Sequence, residues 1–326
     1  ECRAYIGVGC PPAEAAERLI PATTDWEGLY GIDPAGLVAA PAGGTWTGRS
    51  PGRNGVAVLD SDGGRVFLLG SFGDPSWAFD PESGEWSEAS SMPPISEEEP
   101  WTASVGPSVY VPSTGMVVVI RQDDGVTMGY DVATDSWSEL APSVDALVGR
   151  IGGGPVYDLN SDTVVLFGGA QWGRTDEGFH VGLADTWVFD PATATWTEVT
   201  PAVSPPPRVQ HVMVYDASSD RIVVFGGSDH NISGETLGDT WAYDTETNTW
   251  TEMRSAVSPP PRAGAYSWYD PVADRTFVFG GAADWSAWPP LPWMVLGGEE
   301  LWTYDLGADV WTRAAVNFSG FAILIG

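Results

Sequence analysis

Short runs of alternating apolar and polar residues recur along this chain, each closed by the same kind of turn. The phrases SWAFDPESGEWSEA (76–89), TMGYDVATDSWSEL (127–140), DTWVFDPATATWTEV (185–199), DTWAYDTETNTWTEM (239–253) and LWTYDLGADVWTRA (301–314) share one layout. In all five an aspartate, Asp80, Asp131, Asp190, Asp244 or Asp305, stands six residues before a tryptophan, Trp86, Trp137, Trp196, Trp250 or Trp311. Constant spacing around a turn residue between two alternating segments predicts a tight β-hairpin, because a slip of one residue would turn every side chain to the wrong face. With Trp46 added, the tryptophans recur at intervals of 40, 51, 59, 54 and 61 residues, so the chain is a repeat protein.

Upstream of each hairpin lies a continuous apolar run ending in small residues: RVFLLGS (65–71), TVVLFGG (163–169), RIVVFGG (221–227) and TFVFGG (276–281). These read as strands buried on both faces that end where only glycine fits easily. MVVVIRQ (116–122) departs from the pattern. Another strand precedes each run and opens with Arg53, Arg150, Arg208 or Arg262, the last two inside the identical string AVSPPPR (202–208 and 256–262). One repeat therefore holds four strands, and a period near 50 built from strands points to the blades of a propeller.

The order of Pro-Arg, an apolar strand ending in Gly-Gly, an aromatic strand ending in Asp, and a Trp six residues later resembles the kelch repeat over nearly the whole chain. The resemblance implies an all-β, six-bladed kelch β-propeller with four antiparallel strands per blade, forming a single domain over residues 1–326. Five blades are expected at 49–90, 91–141, 142–200, 201–254 and 255–313. Residues 1–48 would supply the later strands of a sixth blade and 314–326, through NFSGFAILIG, its first strand, so that the ring closes without exposed edges. The blade at 91–141 is the irregular one, lacking both the Arg and the Gly-Gly.

Charge changes the picture of partners. The chain carries 44 acidic against 14 basic residues, a formal net charge of -30, and all 14 basic residues are arginine. A phosphate backbone would be repelled, which excludes nucleic acid as a partner. No run of 18 apolar residues occurs, so no membrane span is expected. The two cysteines, Cys2 and Cys10, would lie roughly 26 Å apart if the segment between them is extended at ~3.3 Å per residue, too far for a disulfide unless it folds back. The acidity, together with a resemblance to bacterial envelope propellers, points to an extracellular or envelope location. Asn231 and Asn317 match the glycosylation sequon, a short pattern with frequent chance matches.

Strand direction alternates, so the loops between second and third strands share a face with the connections between blades. Those loops are long and unlike one another at 170–184, 228–238 and 282–300, whereas turns on the other face, such as YDASSDR (215–221) and YDPVADR (269–275), are short, with aspartates placed for turn chemistry. Variable loops on a regular scaffold are where binding sites concentrate. Trp172, Trp285, Trp288 and Trp293 lie in these loops, where they would either stack on sugar rings or partner side chains, or fold down over the blade tops. Resemblance to kelch adaptor domains that recognise acidic peptides implies that Arg53, Arg150, Arg208 and Arg262 surround the channel mouth and hold carboxylates; the alternative is that they pair with the chain's own acids. His180 and His230, beside Asp176, Glu177 and Asp229, would form a metal or acid-base site only if their loops meet. His211 reads as a satisfied core residue.

Three functions remain open on this reading. The first is a binding module that presents one loop face to a glycan, peptide or protein. The second is a carbohydrate-active enzyme, since galactose oxidase and the sialic acid mutarotases resemble this architecture; both cysteines lie within the first ten residues, away from any oxidase motif, and no cofactor is expected. The third is a rigid structural unit of an envelope assembly.

Overall fold

A computed structural model describes residues 56–70, 75–80, 83–95, 104–171, 181–229, 235–283 and 300–314. Within them lie five four-stranded antiparallel sheets, one per repeat, and a small three-stranded sheet in which Ala170–Gln171 pairs with Arg150–Ile151 and Val181–Gly182. The four-stranded sheets occupy 56–89, 105–141, 155–199, 212–253 and 266–314. Of the segments expected to form a sixth blade, 1–48 and 314–326, all but Ala314 lie outside the described residues, and Ala314 ends the last strand of the preceding blade.

In each blade the first strand is innermost. The strand Val56–Leu59 lies against Val105–Val111, which lies against Pro155–Asp158, followed by Val212–Asp216 and Tyr266–Asp270, so the first strands follow one another around a shared axis. The second strand is continuously apolar because both its faces are covered. Val164, Val165, Leu166 and Phe167 are all fully buried, with Val164 and Leu166 packed toward the preceding blade and Val165 and Phe167 toward the next. The outermost strand shows the opposite pattern: in Thr195–Val199 only Trp196 is buried.

The hairpin tryptophans join neighbouring blades. Trp250 sits between Tyr243 of its own sheet, at 4.7 Å, and Phe167 of the preceding one, at 4.8 Å. Its indole N–H donates to the Thr186 hydroxyl across the interface at 3.2 Å. Trp196 and Trp311 repeat that bond to Thr127 and Thr240 at 2.8 and 3.0 Å. The aspartates of the hairpins are turn residues, as expected: Asp190 accepts from the Ala192 and Thr193 amides, and Asp216 from those of Ser218 and Ser219. A second aspartate or asparagine at the end of the turn takes a left-handed backbone conformation and accepts from a tyrosine five residues earlier, as in Tyr215 to Asp220 and Tyr304 to Asp309. Part of the acidic excess is therefore structural.

The Gly-Gly pair is required twice over. Gly168, Gly169, Gly226 and Gly227 have φ between 60° and 96°, a region that L side chains avoid. A Cβ on Gly226 would also lie 2.5 Å from the Arg262 carbonyl oxygen of the next blade. Gly226→Ala is expected to cost roughly 2–4 kcal/mol, combining left-handed strain with displacement of the neighbouring blade. Gly64→Ala, at φ 67° but with nothing within 4 Å, should cost only about 1 kcal/mol. Urea unfolding of both variants separates the two contributions, and equal losses would contradict the close-approach argument.

The irregular blade at 105–141 forms four strands nonetheless. Arg121 stands where the other blades have the first glycine, and the chain turns back at once: the Arg121 amide donates to the Val126 carbonyl and the Gly125 amide to that of Arg121. The Arg121 guanidinium closes this short turn by gripping Asp124 at 2.9 and 2.6 Å. The loop face is therefore short in this blade and long in the three that follow.

Candidate functional site

The end of the blades that carries the Gly-Gly pairs is built around buried arginines. The side chains of Arg150 and Arg208 are 0% exposed and that of Arg262 is 5% exposed. Arg208 donates to both carboxylate oxygens of Asp239 at 2.9 and 2.7 Å, to the Gly226 carbonyl at 3.0 Å and to the Pro206 carbonyl at 3.1 Å. Arg150 makes the same clasp with Asp185 and the Gly168 carbonyl. Arg262 makes it with Glu300 and the Gly280 carbonyl. The acid then accepts the indole N–H of the tryptophan two residues on: Trp187 to Asp185, Trp241 to Asp239 and Trp302 to Glu300.

These geometries correspond to pairing with the chain's own acids. A guanidinium whose surface is fully covered has no edge left for a ligand carboxylate, so Arg150 and Arg208 hold the blade together rather than line the channel mouth. Burial alone would raise the Asp239 carboxyl, but hydrogen bonds and charge from Arg208, with the Trp241 N–H, outweigh it and hold the carboxyl below its ordinary value. Backbone atoms of the same arginines link the blades, since the Gly169 amide donates to the Arg208 carbonyl and the Gly227 amide to the Arg262 carbonyl. The acidic partner was missed in the sequence, although an acid two residues before the third-strand tryptophan recurs in the last three repeats. In the last repeat the pattern is compensated: Glu300 replaces Asp and binds Arg313 as well, at 2.9 Å.

Beside the clasps, backbone hydrogen bonds link three neighbouring blades in a collar just ahead of their first strands. The Gln210 amide donates to the Gly152 carbonyl at 2.7 Å, and the Gly264 amide to the Gln210 carbonyl at 2.8 Å. Each of these residues sits just above its blade's arginine, two positions along. The long loops leave from this end: Gln171 and Val181, Asp229 and Glu235, and Ala283 and Glu300 flank their undescribed parts. Asp229 is half-buried at the foot of its loop, where its amide donates to the Glu235 carbonyl at 3.1 Å. Arg53, Trp172, His180, His230, Trp285, Trp288 and Trp293 lie outside the described residues, as do Cys2, Cys10, Asn231 and Asn317.

His211 departs from its expectation. It is buried, but neither ring nitrogen has a hydrogen-bond partner. The ring packs edge-on against Phe167 of the preceding blade at 5.6 Å. Burial, with a contribution from the Arg208 charge, pushes its pKa down to about 3, so the imidazole is neutral. Among the described residues no three His, Cys, Asp or Glu side chains gather to hold a metal ion, and no helix is long and apolar enough to cross a membrane.

Comparison with known proteins agrees with this architecture. The chain is 29% identical over 171 aligned residues to Kelch-like protein 35 of Mus musculus, covering 42% of this chain and 28% of that protein. It is 29% identical over 150 residues to Host cell factor 1 of Homo sapiens, covering 42% of this chain and 7% of that one. It is 25% identical over 282 residues to a xyloglucanase of a Paenibacillus species, covering 83% of this chain and 21% of the enzyme. The chain thus spans less than a third of each relative's length. The family described as KLHDC2/KLHL20/DRC7 Kelch-repeats domain matches residues 159–322, half of the chain. With four-stranded blades, Gly-Gly turns and interlocking tryptophans in the places that the repeat requires, the chain belongs to the Kelch-repeat β-propellers.

Proposed function

We propose that this chain is an interaction module that binds a protein or peptide on the face carrying the long loops between second and third strands. One observation carries the reading: the two faces differ in kind. The far face is closed by short turns whose acids are occupied by local amides and hydroxyls, as in Asp216, Asp220, Asp270 and Asp274. The near face launches three long, dissimilar loops beside a hydrogen-bonded collar, and Trp172, Trp285, Trp288, Trp293, His180 and His230 belong to those loops. Kelch propellers bind proteins generally, which supports a macromolecular partner over a metabolite. A glycan ligand is the second reading, favoured by the similarity to a xyloglucanase over most of this chain. Immobilised protein exposed to a random peptide library and to a neutral glycan panel tests both. Peptide capture lost in Trp288→Ala, with the fold intact, supports the first. Response to glycans alone replaces it with the second, and no response to either leaves the structural-unit reading.

Two further parts of the reading accompany it. An extracellular or envelope location is proposed from the acidity of the chain and is tested by fractionating the source cells. Ring closure by a sixth blade from residues 1–48 and 314–326 is supported by the faces flanking the gap. Val212 and Val214 pack against the next blade, whereas their counterparts Tyr266 and Trp268 are 43% and 40% exposed. The indole nitrogen of Trp86, whose counterparts Trp196, Trp250 and Trp311 bond to the preceding blade, is buried without a partner among the described residues. Deleting residues 317–326 should lower the melting temperature; an unchanged value would count against closure by that segment.

A further inference from the structure

We infer that Gln210 is a ligand-contacting residue at the channel mouth, placed to pair with the main-chain amide of a bound peptide. Its backbone has φ 57°, in the left-handed region where a long side chain costs free energy. The equivalent positions in the flanking blades are glycine: Gly152 at φ 65° and Gly264 at φ 66°. All three occupy the same hydrogen-bonded collar, so the conformation is imposed by the ring and glycine is the residue that fits it. The other non-glycine left-handed residues among those described, such as Asp220 and Asp309, close hairpin turns, whereas Gln210 lies outside any hairpin, and strain held there motivates a functional reading.

The side chain is half-buried, and among the described residues its amide has no hydrogen-bond partner, whereas the backbone groups around it are paired. Its nitrogen lies 3.3 Å from where a Cβ on Gly152 would stand, so it reaches, beside the Val209 side chain, toward the preceding blade. A carboxamide offers one acceptor and two donors side by side, the complement of a peptide N–H and C=O. The ligand class follows from charge as well. With Arg150 and Arg208 covered and the chain at -30, an anionic ligand finds little to hold it here, whereas a neutral peptide backbone does.

This inference rests on the peptide reading above, and the test separates the two. Wild type and Gln210→Gly are each used to select from one random twelve-residue peptide library, and the wild-type binders are then titrated against both proteins and against Gln210→Asn, which keeps a carboxamide and tolerates the left-handed region. Removal of the strained side chain should raise the melting temperature of Gln210→Gly by about 2 °C. It should also weaken the selected peptides about tenfold by deleting a paired donor and acceptor, with Gln210→Asn closer to wild type. If peptides bind both proteins equally while Trp288→Ala loses them, the loop-face reading stands and the role of Gln210 is overturned. If the library yields nothing with wild type, both are overturned. A lower melting temperature in Gln210→Gly would show that the side chain supports the fold and would likewise overturn the inference.

Discussion

Alanine in place of Arg208 is expected to lower folding stability by about 3–5 kcal/mol, the cost of leaving one member of a buried, hydrogen-bonded ion pair behind. Asp239 would lose both guanidinium contacts, and the Gly226 carbonyl would lose a donor at the junction with the next blade. Burial would then act on Asp239 with only the Trp241 N–H and a backbone hydrogen bond left to oppose it, and its carboxyl would rise. Chemical denaturation of Arg208→Ala, Asp239→Ala and the double variant measures the coupling directly. Arg254→Ala is the control: its side chain is 82% exposed beside Glu252, and pairs of that kind contribute little. An Arg208→Ala protein as stable as wild type but unable to bind its ligand would reverse the assignment and return this residue to the channel mouth.

Stability is expected to fall by about 2 kcal/mol between pH 7 and pH 5, and His211 is the reason. In the unfolded chain its pKa is near 6.5, whereas in the fold burial and the Arg208 charge bring it down to about 3. Between these values the unfolded state binds a proton that the folded state refuses. The stability contributed by the neutral ring is therefore complete above about pH 6.5 and is lost progressively, at up to ~1.4 kcal/mol per pH unit, as pH falls toward 3. Carboxylates act in a separate, lower window. Glu300 is held below its ordinary value by the Trp302 N–H and by Arg262 and Arg313, and Asp239 by Arg208, so their contributions persist until the pH falls below the usual carboxylate range. Because the His211 nitrogens make no hydrogen bonds, His211→Leu should retain most of the stability at pH 7 and flatten the profile from pH 7 to pH 5. Denaturation midpoints at half-unit intervals decide it, and a leucine variant that loses stability as steeply as wild type would show that other groups carry the acid response.

Much of the blade was readable because its signals are local and repeated. The hairpin aspartates sit a fixed distance from Trp196, Trp250 and Trp311, and a turn with fixed spacing determines its own register. The doubly apolar second strand and its terminal Gly-Gly were likewise legible, since burial on both faces and a left-handed φ each demand particular residue types. The partner of Arg208 was harder to find because Asp239 lies 31 residues away, beyond a long loop, and nothing in the spacing of one repeat joins them. His211 has the polarity of a residue that finds a partner, and only the packing of two blades shows that it has none. Gln210 was overlooked because a glutamine after Arg-Val carries no pattern by itself; aligning it with Gly152 and Gly264 shows the exception. The irregular blade was recognised as lacking Arg and Gly-Gly, but the substitute, a tight turn clasped by Arg121 and Asp124, depends on a side-chain contact across three residues that composition does not encode.

The measurement that bears most directly on the function is a hydrogen-exchange footprint of the full chain with and without a saturating library-selected peptide. Binding on the loop face predicts slowed exchange in 170–184, 208–211, 228–238 and 282–300, with the turns at 158–162, 216–220 and 270–274 unchanged. Protection confined to those turns would put the ligand on the far face and contradict the account.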